Sequence, residues 1–454
     1  MPARSDGVFA PRRRALTVGV LLAVTSFALE GMGVVPALPT AVRELGGLPL
    51  FGWAFAAFML AWLVGTVFAG ALADARGPRT PMALGLIAFA GGLVLAGTAH
   101  GMAQFLLGRA LQGAGGGAMI AAAYVAIALG YPDALRPRMM ALTASVWILP
   151  ALLGPAGAGA VTERLGWRLV FLGVAPAVAA TALVVLPPLT PFERRVPFAA
   201  PGQLFAAARV ALGAALLLAT PELRVHGALA VGGAALAGVS LLGPALRTVL
   251  PPGTLRAAPG LPAGMAARAL VAFAFFGTEA FIPLGASALR GVSPAVAGLA
   301  LTAGALGWIG AAWSQDRLEA RGPERRADRM LSGFLLVALG IAVVGAGLVT
   351  AAPFALVPLG WAVSGAGMGL SYSAGSLLCL AAAPAGAEGD VSGRLQLAEA
   401  LGTALATGLG GEALAALVRW GRTPREGQAA IFAGMIAVAL LGAAISRRAR
   451  PAPA

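Results

Sequence analysis

Apolar runs of about 20 residues, each long enough to cross the ~30 Å hydrocarbon core of a bilayer as a helix, recur from Ala15 almost to the C-terminus of this 454-residue chain. A helix satisfies its backbone hydrogen bonds internally, so repeated runs of this length specify an all-α polytopic membrane protein. A transmembrane β-barrel would instead show short alternating segments. Only 11% of the residues are charged against 59% hydrophobic, and Gly and Pro are abundant, which sets a water-soluble globular chain aside.

Bounded by charges, Gly and Pro, the runs predict helices near 15–38, 50–73, 80–99, 102–129, 139–161 and 168–188. A second set of six follows near 266–289, 295–314, 330–350, 354–383, 394–418 and 428–446. The expected layout is a tail over 1–14, a six-helix bundle over 15–190, a central linker over 191–262, a second bundle over 263–446 and a tail over 447–454. Inside the linker, 204–220 and 227–246 read as two extra spans, giving fourteen helices. Twelve is the alternative, in which 204–220, short and interrupted by Arg209, lies in the interface.

All 32 basic residues are Arg, and the net charge is +14. They are dispersed among loops rather than gathered on one face, so no nucleic-acid partner is expected. Most fall on the side of the N-terminus, which predicts both termini in the cytoplasm; the loop with Arg419, Arg422 and Arg425 is an exception. Arg4 and Arg12 to Arg14 precede the first run with no cleavage signal after it, so that helix is expected to stay. One cysteine, Cys379, and two distant histidines, His100 and His226, leave no disulfide and no metal site to expect. Without Lys there is no Gly-x-x-x-x-Gly-Lys-Ser/Thr loop, so direct ATP hydrolysis is set aside and no cofactor is expected. An intramembrane enzyme would need converging catalytic groups that the sequence does not supply. A receptor or scaffold would tolerate neutralisation of its buried charges.

The chain repeats itself. Ala73-Asp74-Ala75-Arg76-Gly77-Pro78 follows the second helix, and Leu318-Glu319-Ala320-Arg321-Gly322-Pro323 follows its counterpart. Phe27-Ala28-Leu29-Glu30 likewise parallels Phe276-Gly277-Thr278-Glu279, with Pro36 and Pro283 beyond. Parallel six-helix repeats are one way to build an alternating-access carrier.

Four sets of residues carry chemistry. Asp74 ends a helix, where a carboxylate faces the negative pole of the dipole and wants a cationic partner, so with Arg76, Gly77 and Arg79 it suits a gate between bundles. Arg109 sits inside an apolar helix, where an unpaired charge costs at least about 2.5 kcal/mol; it must meet a polar cavity or a partner, or snorkel outward. Gly154, Pro155 and Gly159 allow close helix approach and a bend. Glu30 and Glu279 lie mid-run, where low dielectric favours the neutral acid and makes proton exchange near neutral pH accessible. Gln112, Glu319 and Glu399 are weaker candidates, Glu399 lying near its helix end. Aromatics such as Phe58, Phe276 and Trp308 cluster around the acids in sequence, where packing is their commoner fate.

The Asp74 loop resembles the signature loop of the major facilitator superfamily, with Ala75 and Pro78 where basic residues are common. Leu106 to Gly113, with Arg109 and Gln112, resembles its fourth-helix motif. Gly154 to Gly159 resembles its exporter motif, with Pro150 and Ala158 replacing glycines. With the central hairpin, the chain looks like the fourteen-helix drug:proton antiporter branch. That resemblance implies two rocking bundles, proton coupling and multidrug efflux in a bacterial inner membrane. Glu30, Glu279 and Arg109 would then couple proton to substrate. Asp74 would bias the gate, and the partners would be lipid, protons and small molecules, with a monomeric transport unit. Export of an endogenous lipid or metabolite, or proton symport, stays open.

Overall fold

A computed structural model describes residues 7–192, 201–220, 227–384 and 387–450. The Arg4 region, the loop with His226 and the last four residues therefore lie outside the described residues, as does the side chain of Arg321. Thirteen described helices are long and apolar enough to cross a membrane. In chain order they are α1 (Pro11–Glu44), α2 (Leu48–Arg76), α3 (Arg79–Gly97), α4 (Met102–Gly130), α5 (Arg136–Leu165), α6 (Arg168–Val185), α7 (Gly202–Ala219), α8 (Ala228–Val249), α9 (Leu261–Arg290), α10 (Pro294–Ala320), α11 (Arg326–Val349), α13 (Gly389–Arg419) and α14 (Pro424–Ala449). Between α11 and α13 lies α12 (Leu356–Ala381), whose 26 residues also reach across a bilayer. Its Gly and Ser content makes it less apolar, and it buries that face, including Ser364, Gly367 and Ser371, against neighbouring helices. The protein is a multi-pass, all-α membrane protein.

The repeat in the sequence reappears as packing. In each half the fourth helix presses into the second and third, α4 into α2 and α3, and α12 into α10 and α11. Glycines make this possible. A side chain at Gly113 would strike the Phe58 carbonyl, and one at Gly365 the Gly304 carbonyl. Without a hydrophobic force between helices in lipid, such backbone approach is what holds a bundle together.

The two bundles meet along α2–α13 and α5–α10. The contacts concentrate in the half of the molecule away from the termini. There Gly52 lies against Thr407 and Gly411, Gly159 against Pro294, and Gly298 against Pro155. Phe51 and Phe281 are 5.5 Å apart between ring centroids, and Thr302 Oγ1 donates to the Leu152 carbonyl at 3.3 Å. At the opposite ends of the same helices Asp74, Met140 and Trp313 are exposed. The described contacts between the bundles thus close the far face.

The linker helices α7 and α8 form a hairpin, tightened where Gly213 meets Gly238 and Leu242. Val210 and Leu218 of α7 and Leu242 and Leu246 of α8 share one apolar cluster with Leu60 and Leu63 of α2 and Leu397 and Leu401 of α13. The hairpin therefore lies along the seam between bundles. Arg209, which interrupts α7, donates to the Ser240 carbonyl at 3.4 Å.

Several helices start earlier than their apolar runs. The run predicts 266 for α9, but the helix begins at Leu261, where Gly260 (φ 85°) ends the loop and Pro262 suits the first turn. The run predicts 394 for α13, but its helical backbone begins at Glu388, one residue ahead of the apolar span given above. Both extensions draw a charged residue, Arg268 or Glu399, well inside a helix.

Candidate functional site

In the first bundle the Arg109 and Glu30 side chains are 3% and 1% exposed and form an ion pair. Arg109 Nε donates to the Ala54 carbonyl at 3.0 Å, and Nη1 also donates to Gln112 Oε1 at 2.5 Å. Its guanidinium lies over the Phe58 ring, 4.4 Å from the centroid. Arg109 therefore does not snorkel; it is held by α1, α2 and its own helix. Glu30 Oε2 remains buried with no partner, which leaves an oxygen free to hold a proton.

The two acids paired by the repeat do not occupy the same face. On α1, Leu22 and Leu29 are exposed while Glu30 is shut inside. On α9, which packs against α10 to α14 and touches α1, only a stripe with Ala266, Phe273, Phe276 and Glu279 stays half-buried along the middle of the helix. Glu279 stands half-buried on that stripe, and it has no hydrogen bond or ion pair with any described residue. Phe276, one turn away, packs on Trp308 at 6.1 Å.

The other candidates fall at three places. Gly154 rests on Met32 of α1, while Pro155 and Gly159 meet α10, so this stretch builds the closed seam. Gly77 ends α2 with φ 79°, a conformation only glycine takes freely, and Asp74 and Arg76 beside it are exposed. Arg79 opens α3. Asp74 has no ion pair among the described residues, whereas its repeat partner Glu319 pairs with Arg326 and, at 2.6 Å, with Arg329.

Glu399 stands with two residues the sequence reading missed. Arg268 Nη1 lies 3.7 Å from Glu399 Oε2, and the Tyr372 hydroxyl donates to the same oxygen at 3.0 Å. An Arg inside an apolar run is the available signal, obscured because that run begins only two residues before Arg268. Among the described residues no group of His, Cys, Asp and Glu could hold a metal ion.

The family model of the Major Facilitator Superfamily matches residues 17–407. The chain belongs to the major facilitator superfamily. Among curated members, the multidrug transporter protein MdtP of Bacillus subtilis is 32% identical over 35% of this chain and 30% of its own length. Multidrug resistance protein 3 of Bacillus subtilis is 33% identical over 34% of this chain and 30% of its own. An uncharacterized major facilitator transporter of Mycobacterium tuberculosis is 31% identical over 66% of this chain and 43% of its own. The matched parts span under half the length of these relatives. Solved structures share the fold of the superfamily. An auto-inhibited peptide transporter of the POT family aligns over 97% of this chain and 99% of its own, at TM-score 0.68 and 20% identity. A bacterial Spinster homologue, inward-facing and unoccupied, aligns over 98% and 99%, at TM-score 0.67 and 16% identity.

Proposed function

We propose that this major facilitator protein is a proton-coupled antiporter that exports hydrophobic or cationic drug-like small molecules by alternating access from a bacterial inner membrane, with both termini in the cytoplasm. The observation that carries the reading is Glu279: a half-buried carboxylate in the middle of a membrane helix, beside Phe276 and with no cationic partner among the described residues. An acid left unpaired in low dielectric is stabilised by a proton or by a cation, and the two compete for it. That competition is antiport in its simplest form. The aromatic wall of Phe273 and Phe276 adds apolar area and cation–π attraction for a hydrophobic cation.

The remaining parts serve the cycle. Arg109 sets the field around Glu30, whose charge in turn holds Arg109 inside the bundle. Gly159 and Gly298 let the far face close, and Asp74 is positioned to latch the opposite gate when the bundles rock. Names given to the Bacillus relatives support drug-like substrates.

The test is transport of an ethidium-type cation into everted vesicles, with the pH gradient collapsed midway. Uptake should stop on collapse and be lost in Glu279→Gln and in Glu30→Gln. Uptake that ignores both the gradient and the substitutions removes the reading and leaves export of an endogenous lipid or metabolite as its replacement.

A further inference from the structure

The buried cluster of the second bundle is not used by the cycle above. Arg268 stands seven residues into α9 and Glu399 eleven residues into α13, both counted from the termini side, so at 1.5 Å per residue they lie about 10 Å and 16 Å below the helix ends. Arg268 is 4% exposed, and Nη1 is buried with no hydrogen bond. Its other nitrogen, Nη2, donates to Ser376 Oγ, and the guanidinium lies flat on Tyr372, 3.4 Å from the ring centroid. Glu399 is different. Its side chain is 25% exposed, and it receives the Tyr372 hydroxyl at 3.0 Å.

We propose that Arg268, Tyr372 and Glu399 form a second, independent proton-carrying site beside the one at Glu279, so that the carrier moves two protons per cycle. The proposal rests on the proton-coupled reading above and adds its stoichiometry. Three features of the cluster support it. The ion pair is loose: 3.7 Å without a hydrogen bond holds the carboxylate far less firmly than the hydrogen-bonded contact of Arg109 and Glu30. The cluster also tolerates a neutral Glu399, because the Tyr372 ring and Ser376 still stabilise Arg268 once its counter-ion is gone. Finally, Glu399 is reachable, since a quarter of its side chain is exposed, whereas Glu30 is sealed.

The groups facing Glu399 are few. Arg268 comes from α9 and Tyr372 from α12, and Tyr124 of α4 lies within electrostatic reach from the other bundle. On α13 itself, Asp390 and Arg394 pair with each other at 2.8 Å nearer the start of the helix. The proton step is a simple exchange: the carboxylate gains a proton from one face, loses the charge that binds Arg268, and returns the proton when the site faces the other side.

The experiment uses the full chain in proteoliposomes with the membrane potential clamped at zero and an ethidium-type cation as probe. For a tenfold probe gradient, net flux reverses at about 0.5 pH unit if two protons are exchanged and at about 1.0 if one is. The wild type is expected to reverse near the first value and Glu399→Gln near the second. A wild type that reverses near one unit, or a variant that keeps the wild-type value, overturns the proposal while leaving proton coupling intact. A wild type indifferent to pH removes the coupling itself. Should Glu399→Gln fail to fold, Tyr372→Phe keeps the ring and removes only the hydroxyl. Infrared difference spectra should then show a protonated-carboxyl band displaced in its pH midpoint; no displaced band overturns the proposal.

Discussion

Glu30 and Glu279 lie in the first helix of their respective bundles, and the protein treats them in opposite ways. Glu30 is sealed against Arg109, with Gln112, the Ala54 carbonyl and the Phe58 ring completing the cage around the guanidinium. Glu279 has no such cage and stands half-buried with no described partner. The lesson is that matching positions in the two repeats carry different surroundings, which make one carboxylate a fixed element of its bundle and leave the other free to trade partners.

The largest expected effects break this comparison directly. Arg109→Leu or Glu30→Leu leaves a buried charge without its partner and should destabilise the purified protein by about 3–5 kcal/mol. The double variant should recover most of that loss. Glu279→Leu should stay within about 1 kcal/mol of wild type, because no described group depends on its charge. Thermal unfolding in detergent measures all four. Equal losses for Glu30→Leu and Glu279→Leu would mean that the second acid is also structural, and the division of roles would fall.

The far-face seam offers a smaller effect and an internal control. Gly159→Leu forces a side chain into the Pro294 backbone and should cost about 1–3 kcal/mol through overpacking. Transport should drop by about tenfold, the kinetic equivalent of 1.4 kcal/mol lost from the closed arrangement. Gly157, two residues away, has nothing within 4 Å of an added side chain, so Gly157→Leu should transport normally. Impaired transport in both variants would assign the effect to α5 flexibility rather than to the seam.

Much of this was legible in the residue order. Periodic apolar runs marked the spans, because lipid permits little else, and an Arg inside such a run demanded a partner, which Glu30 proved to be. The partner itself was not legible: Glu30 and Arg109 are 79 residues apart, and only the packing of α1 on α4 joins them. Arg268 shows the other limit. Hydropathy places a helix end where polarity rises, but α9 continues five residues past the predicted start, because Pro262 and Gly260 set the backbone there. Glu399 looked like a residue near a helix end for the same reason. Faces, unlike spans, depend on how each helix is rotated by its neighbours, so the sequence parallel between Glu30 and Glu279 could not reveal that one is sealed in an ion pair and the other left without a described partner.

The smallest expected effect concerns the second pair of repeat partners, Asp74 and Glu319. Glu319 ties α10 to α11 through Arg326 and Arg329, but it is 25% exposed, so Glu319→Gln should cost only about 1 kcal/mol, screened further by salt. Asp74→Asn should leave unfolding unchanged, since Asp74 pairs with no described residue in this arrangement. Its effect should appear only in the cycle. If Asp74 gains a cationic partner when the termini face closes, the substitution destabilises that closed state alone and enriches the arrangement seen here. Solvent labelling of a cysteine placed at Met140, in a Cys379→Ser background, reads that population, and labelling should be faster in Asp74→Asn and unchanged in Glu319→Gln. Equal labelling in both would show that the first-half loop, like its counterpart, only braces its own bundle, and would move the gate elsewhere on the termini face.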